Sequence, residues 1–305
     1  MPDANPHHSQ PKGLALWWQA IRPRTLTMSL SPVLVGLALA WIESGVLGWG
    51  VALIALISAM AIQAGTNLHN DAADSLNGTD TSERLGPPRA TERGWATAEQ
   101  VLKAAHLAFG IAVLGGGALV WVGGWPILLL GLFSVIAGYG YSAGPWPLSR
   151  GPFGELFVVA FFGMAAVWGT SYLVSGQSSV IALVLGLAVG APAGAVLLVN
   201  NCRDRVGDTR AGRRTLAILA GPSLSLGIYL ALMILPFAVI GGLVWVDGAF
   251  SGILAGLLAL PLAGWSFSLL RRAGDGPGFN RCLAATVGFQ TLFCLLLSGG
   301  LFLFS

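Results

Sequence analysis

The sequence predicts an all-α, polytopic membrane protein of about nine transmembrane helices, and three observations carry that prediction. Of 305 residues, 55% are hydrophobic and 10% charged, with a mean hydropathy of +0.75, far from the composition of a soluble domain. Apolar runs of bilayer length recur along the chain, about 20 residues being needed to cross the hydrocarbon core at about 1.5 Å per residue. All the basic residues fall in alternate loops.

Residues 1–12 are polar and carry Pro2, Pro6 and Pro11, which reads as a disordered tail with no cleavable signal peptide. GLALWWQAIRPRT, residues 13–25, reads as interfacial, with Trp17 and Trp18 at headgroup depth and Arg22 and Arg24 towards the cytoplasm. Residues 1–21 therefore form a tail and surface segment, and 22–305 a single transmembrane domain. The spans lie near 26–42, 49–69, 102–122, 126–142, 155–174, 180–200, 222–246, 250–270 and 283–304. The 43 glycines suit close helix approach in lipid, where apolar burial supplies little drive. Cys202, Cys282 and Cys294 are too few and too irregular for a disulfide framework or a zinc site, and read as packing residues.

Charge position fixes the expected orientation. Lys12, Arg22 and Arg24 precede span one, and Arg84, Arg89, Arg93 and Lys103 lie between or at the edges of spans two and three. Arg150 follows span four; Arg203, Arg205, Arg210, Arg213 and Arg214 follow span six; Arg271, Arg272 and Arg281 follow span eight. The opposite loops, near Glu43, Gly123, Ser175 and Asp247, hold none. The N-terminus is therefore expected in the cytoplasm and the C-terminus on the far side.

Two polar clusters close otherwise apolar spans on that basic side: NLHNDAADSLNGTD at 67–80 and NNCRDRVGDTRAGRRT at 200–215. They begin 133 residues apart, from Asn67 to Asn200, which fits a repeated unit of about four helices. If the helices continue through the clusters, Asn67, Asn70, Asp71 and Asp74 share one face, as do Asn201, Asp204 and Asp208. Asp80 follows the turn pair Asn77-Gly78 and could fold back to the first set. Crowded carboxylates repel, and a hard divalent cation offsets that cost; Mg²⁺ binds through one or two carboxylates, water and substrate phosphate oxygens. Facing clusters thus point to a metal-bridged diphosphate, with Arg89, Arg93, Arg203, Arg205, Arg210, Arg213 and Arg214 available for outer phosphate oxygens. One aspartate at a helix end is as readily a cap, and positive-inside topology alone places arginines there, but two spaced clusters on one side are a stronger signal. His69 and His106 read as packing or surface residues.

These segments resemble the UbiA superfamily of intramembrane prenyltransferases, through NDAADSLNGTD at 70–80 and DRVGD at 204–208. The resemblance is closer to its 1,4-dihydroxy-2-naphthoate polyprenyltransferase branch, carried by RPRTLTMSLSPVLVG at 22–36, RLGPPR after the first motif, YSAGPWPLSRGPFGELFVVAFFG at 141–163 and NNCRDRVGDTRAGRRTLA at 200–217. Two positions depart from that branch: Ala72 stands where an aromatic residue is usual, and Arg213 where lysine is. The resemblance implies a UbiA-like bundle around a central cavity open sideways to the lipid bilayer, in a bacterial inner (plasma) membrane, with its site facing the cytoplasm. It implies Mg²⁺ held by Asp71, Asp74, Asp204 and Asp208; contacts to polyprenyl diphosphate or the acceptor from Asn67, Asn70, Asp80, Arg89, Tyr141, Asn201, Arg205 and Arg213; and a part for Glu155 in orienting or deprotonating the acceptor. As a helix N-terminal acid, Glu155 is equally explained by the macrodipole. The implied reaction transfers a polyprenyl group to 1,4-dihydroxy-2-naphthoate with decarboxylation, giving demethylmenaquinol for menaquinone biosynthesis; 4-hydroxybenzoate and homogentisate are the alternative acceptors, and no nucleic-acid partner is expected. A secondary transporter is the rival of another class, but its ionisable groups would lie near the midplane, whereas here they gather at span ends.

Overall fold

The structure, a computed structural model, describes residues 11–78 and 85–304 apart from the side chain of Arg24, so Asp80 and Arg84 lie outside the described residues. The described residues are helical with no strand. A short helix α1 (Leu14–Ala20) leads into α2 (Pro23–Ser44), α3 (Trp49–Leu76), α4 (Ala98–Gly140), α5 (Gly154–Ser175), α6 (Val180–Arg210), α7 (Leu216–Val246), α8 (Gly248–Arg272) and α9 (Gly276–Phe304). Eight of these, α2 to α9, are long and apolar enough to cross a membrane.

Helix α4 accounts for the ninth expected span. It is 43 residues long, yet the His106 and Tyr139 rings lie 6.3 Å apart. A straight helix would separate residues 33 apart by about 50 Å. The chain turns back at Gly124 (φ 68°, ψ −154°), a left-handed conformation open to glycine, with Pro126 starting the return arm. Two passes therefore sit within α4, and Phe109 on the outgoing arm meets Tyr139 on the returning one.

Both motif helices overshoot their apolar runs, as the spacing of the motif residues requires: α3 runs to Leu76 and α6 to Arg210. Helix α5 contains a wider π turn over Ala160–Ala165. It crosses α6 backbone to backbone, since a Cβ at Gly163 would lie 2.2 Å from the Gly186 carbonyl oxygen and 2.5 Å from Gly190 Cα. Such turns shift the helix face and recur at functional sites; here Phe157, Phe161 and Phe162 line the central cavity. The largest apolar core joins α6, α7, α8 and α9 around Leu185, Tyr229, Phe289 and Phe293.

The loops at one end of the bundle are tied together. Arg213 reaches Asp74, the Arg214 backbone N–H donates to the Arg150 carbonyl at 2.8 Å, Arg203 reaches Asn280, and Asn280 reaches the Leu85 carbonyl. The other end carries the Ser171–Glu43 and Tyr172–Gly123 hydrogen bonds. The loops with and without basic residues are thus at opposite ends of the bundle.

Candidate active site

The two motifs face each other across the mouth of one cavity of about 2520 Å³, which runs inward along α2, α3, α4, α5, α6 and α9. From the first motif Asn67, Asn70 and Asp74 line it; from the second, Asn201, Asp204 and Asp208 do. Arg213 links them directly, its guanidinium meeting Asp74 Oδ1 at 2.6 Å and Asp208 Oδ1 at 3.2 Å. Arg89 donates to the other oxygen of Asp74, and all three side chains are largely buried. Arg213 sits beyond the end of α6, and although burial works against its charge, Asp74 and Asp208 hold its pKa above the usual arginine range.

Arg203 organises the second motif. Nε and Nη2 grip both oxygens of Asp204 at 2.8 and 2.7 Å, Nη2 also donates to Asn200 Oδ1, and Nη1 donates to Asn280 Oδ1. Among the described residues no three histidine, cysteine or acidic side chains converge closely enough to hold a metal alone. The donor set nevertheless suits a hard cation. A single guanidinium already touches a carboxylate from each motif, and the Asn70 Oδ1 oxygen, on the cavity beside Asp74, is buried with no hydrogen-bond partner.

Asp71 stands elsewhere. It is 1% exposed and does not line the cavity; Oδ2 accepts from the Ala90 N–H at 2.8 Å, and Oδ1 from the Thr91 N–H and hydroxyl. The structure thus places Asp71, expected as a metal ligand, away from the cavity: neighbouring helix positions point about 100° apart, and the cavity is lined by Asn70 while Asp71 holds the 90–91 loop. That loop carries Arg89 to Asp74. Arg205 is likewise off the cavity lining, one position out of phase, and Arg203 and Arg210 line it instead.

Glu155 is 4% exposed and sits behind the wall, not on it. Its Oε1 accepts from Asn201 Nδ2 at 2.9 Å, and Asn201 is the residue on the cavity. Asn67, also on the cavity, spends its amide on the backbone carbonyl of Ile21 and the Thr25 hydroxyl, both at 3.0 Å. Tyr141 lines the mouth, and desolvation with the nearby Glu155 carboxylate pushes its phenol up to about 12. His69 bonds Ser142 at 3.0 Å and packs on Tyr139, consistent with packing. Reasoning from sequence missed Arg22, Gln63 and Asn280, which also line the cavity; none belongs to a spaced acidic motif.

The profile of the UbiA prenyltransferase family matches residues 29–302. A 1,4-dihydroxy-2-naphthoate octaprenyltransferase of Mycobacterium tuberculosis is 36% identical over 262 residues, covering 85% of each chain. One from Mycobacterium leprae is 32% identical over 288 residues, covering 94% of this chain and 96% of its own. Among solved structures, a UbiA homologue from Archaeoglobus fulgidus bound to GPP and Mg²⁺ superposes with a TM-score of 0.68 at 14% identity, over 92% of this chain and 99% of that one. Profile, relatives and fold agree: the chain belongs to the UbiA prenyltransferase family and is a membrane-embedded enzyme that transfers prenyl groups.

Proposed function

We propose that the protein transfers a polyprenyl group from polyprenyl diphosphate to 1,4-dihydroxy-2-naphthoate in an Mg²⁺-dependent reaction, releasing CO2 and giving demethylmenaquinol for menaquinone biosynthesis. The observation that carries the reading is the Arg213 bridge from Asp74 to Asp208, which brings two oxygen-rich motifs together over a long apolar cavity. The mycobacterial relatives named for octaprenyl transfer to this naphthoate support it.

Asn70, Asp74, Asp204 and Asp208 would hold Mg²⁺, which when bound neutralises the charge gathering on the departing diphosphate. With those carboxylates serving the metal, Arg89, Arg203 and Arg213 would contact outer phosphate oxygens. The α5 wall, with Phe161 and Phe162, holds the isoprenoid and keeps water from the allylic cation. Tyr141, protonated at neutral pH, can donate a hydrogen bond to the acceptor, while Glu155 fixes Asn201 from behind. The prenyl carbon–oxygen bond breaks with its electron pair on the diphosphate, the naphthoate ring forms the carbon–carbon bond, and loss of CO2 restores the aromatic ring.

In this reading residues 22–305 form one catalytic domain in the plasma membrane of a bacterium, with the motif end facing the cytoplasm, an orientation the one-sided basic loops support. The test is purified protein in nanodiscs given a polyprenyl diphosphate and either 1,4-dihydroxy-2-naphthoate or 4-hydroxybenzoate, with product masses recorded. A prenylated, decarboxylated naphthoquinol is expected. Prenylated benzoate alone would move the acceptor, and no product from either would overturn the proposal.

A further inference from the structure

We propose that Gly116 and Gly131, one on each arm of α4, leave open the deep end of the cavity and so set the longest prenyl tail the enzyme takes, an inference that rests on the polyprenyl-donor reading above. The cavity, at about 2520 Å³, exceeds the roughly 300–1,000 Å³ of an ordinary small-molecule pocket. What bounds it at depth decides how much of a long donor fits.

Contacts with α3 place both glycines at one level. A Cβ at Gly65 would lie 3.1 Å from the Phe109 ring, and one at Gly115 would run into Ser58 Oγ, so the outgoing arm follows α3 and brings Gly116 level with Ser58. On the return arm a Cβ at Gly138 would lie 2.8 Å from Thr66 Oγ1, and Gly131, seven residues earlier, falls level with Ala59. Gly115 and Gly138 thus serve the close approach of α4 to α3. Gly116 and Gly131 differ: both line the cavity, neither has a positive φ, and a Cβ at either meets nothing within 4 Å. Glycine weakens a helix interior, and with no close approach requiring it at these two positions, what it supplies is room.

Ser58 lies 16 residues before Asp74, about 24 Å along α3, most of the roughly 30 Å hydrocarbon core. An extended chain advances about 1.2 Å per bond, so an isoprene unit of four chain bonds covers about 5 Å. A tail whose diphosphate sits at Asp74 therefore reaches the glycines with about its fifth unit, and later units need the space the missing side chains leave. The wall at that level is apolar, with Ala55, Val113, Val120 and Leu128. Ser58 also lines it; the residue is 7% exposed, its hydroxyl has no hydrogen-bond partner among the described residues, and the double bonds of an isoprenoid are weak π acceptors for such a group. A leucine at position 116 or 131 would fill that space from within a helix.

The test compares Gly116→Leu and Gly131→Leu with wild type on farnesyl diphosphate, which ends short of the glycines, and octaprenyl diphosphate, which runs past them. Each variant should keep kcat/KM for the farnesyl donor within about twofold and lose about tenfold or more for the octaprenyl donor, the effect of overfilling a packed site. Gly110→Leu, on the same helix, equally open but off the cavity, should leave the ratio as in wild type. An unchanged ratio in both cavity variants, or one that falls as far in Gly110→Leu, would overturn the proposal. So would equal loss of both donors in a variant that unfolds at the wild-type temperature, and failure of both variants to fold would contradict the open space on which it rests. Mg²⁺-dependent binding of the two diphosphates to the purified proteins gives the same ratio without an acceptor, so a failed naphthoate reading leaves this test standing.

Discussion

Replacing Asp71 by asparagine distinguishes a loop clamp from a metal ligand. In the structure both Asp71 oxygens are occupied, one by the Ala90 N–H at 2.8 Å and one by the Thr91 N–H and hydroxyl. An asparagine keeps one acceptor oxygen, but its NH2 must then face a donor at the other site. One unsatisfied buried donor costs about 1–3 kcal/mol, and loss of charge assistance at the remaining bond about 1 kcal/mol more. The sum, about 2–4 kcal/mol, falls on docking of the loop that carries Arg89 to Asp74, shifting that equilibrium about 30-fold or more. The metal oxygens are untouched. Mn²⁺ binding in the presence of inorganic pyrophosphate, followed by electron paramagnetic resonance, reads the metal directly. Asp71→Asn should bind Mn²⁺ within about threefold of wild type while losing thermal stability and turnover, and Asp74→Asn should lose the metal. If Asp71→Asn abolishes Mn²⁺ binding as fully as Asp74→Asn does, the clamp assignment is wrong.

Arg213→Gln frees Asp74 and Asp208 from their bridge, so Mn²⁺ should bind more tightly without diphosphate while the KM for the prenyl donor rises; calorimetry and steady-state kinetics check the two halves. Gly163→Ala drives a methyl group against the Gly186 carbonyl, a backbone atom that cannot swing aside, and should cost about 1–3 kcal/mol, read as a lower unfolding temperature in detergent. The Tyr141 phenol, raised to about 12, stays protonated below pH about 10, so Tyr141→Phe should weaken acceptor binding without changing the shape of the pH–rate profile near neutrality. Because a raised phenol pKa favours the folded state until the unfolded chain ionises, any stability it contributes is present below pH about 10 and lost as pH climbs through about 12.

Much of this architecture was legible because lipid leaves few options for a buried backbone. Apolar run length located the spans, including the break near Gly123 at which α4 turns back. Spacing by three and four residues foretold that α3 and α6 continue through their motifs. The choice between adjacent residues was not legible. Asn70 and Asp71 both lie in the first motif, and the loop packed on Asp71 decides which one faces the cavity; Arg203 and Arg205 pose the same problem on α6. The π turn left no trace, since AFFGMA is apolar on every face. Nor did the left-handed backbone at Arg22 (φ 58°), where the Asn67 amide of α3 meets the flanking Ile21 carbonyl and Thr25 hydroxyl.

The most direct measurement is release of CO2 from carboxyl-labelled 1,4-dihydroxy-2-naphthoate by the purified protein, with polyprenyl diphosphate and Mg²⁺ each supplied or withheld. The account predicts one CO2 for each prenyl group transferred, and none when either the diphosphate or the metal is missing. Prenyl transfer with the carboxylate retained, or transfer undiminished by metal removal, would contradict it.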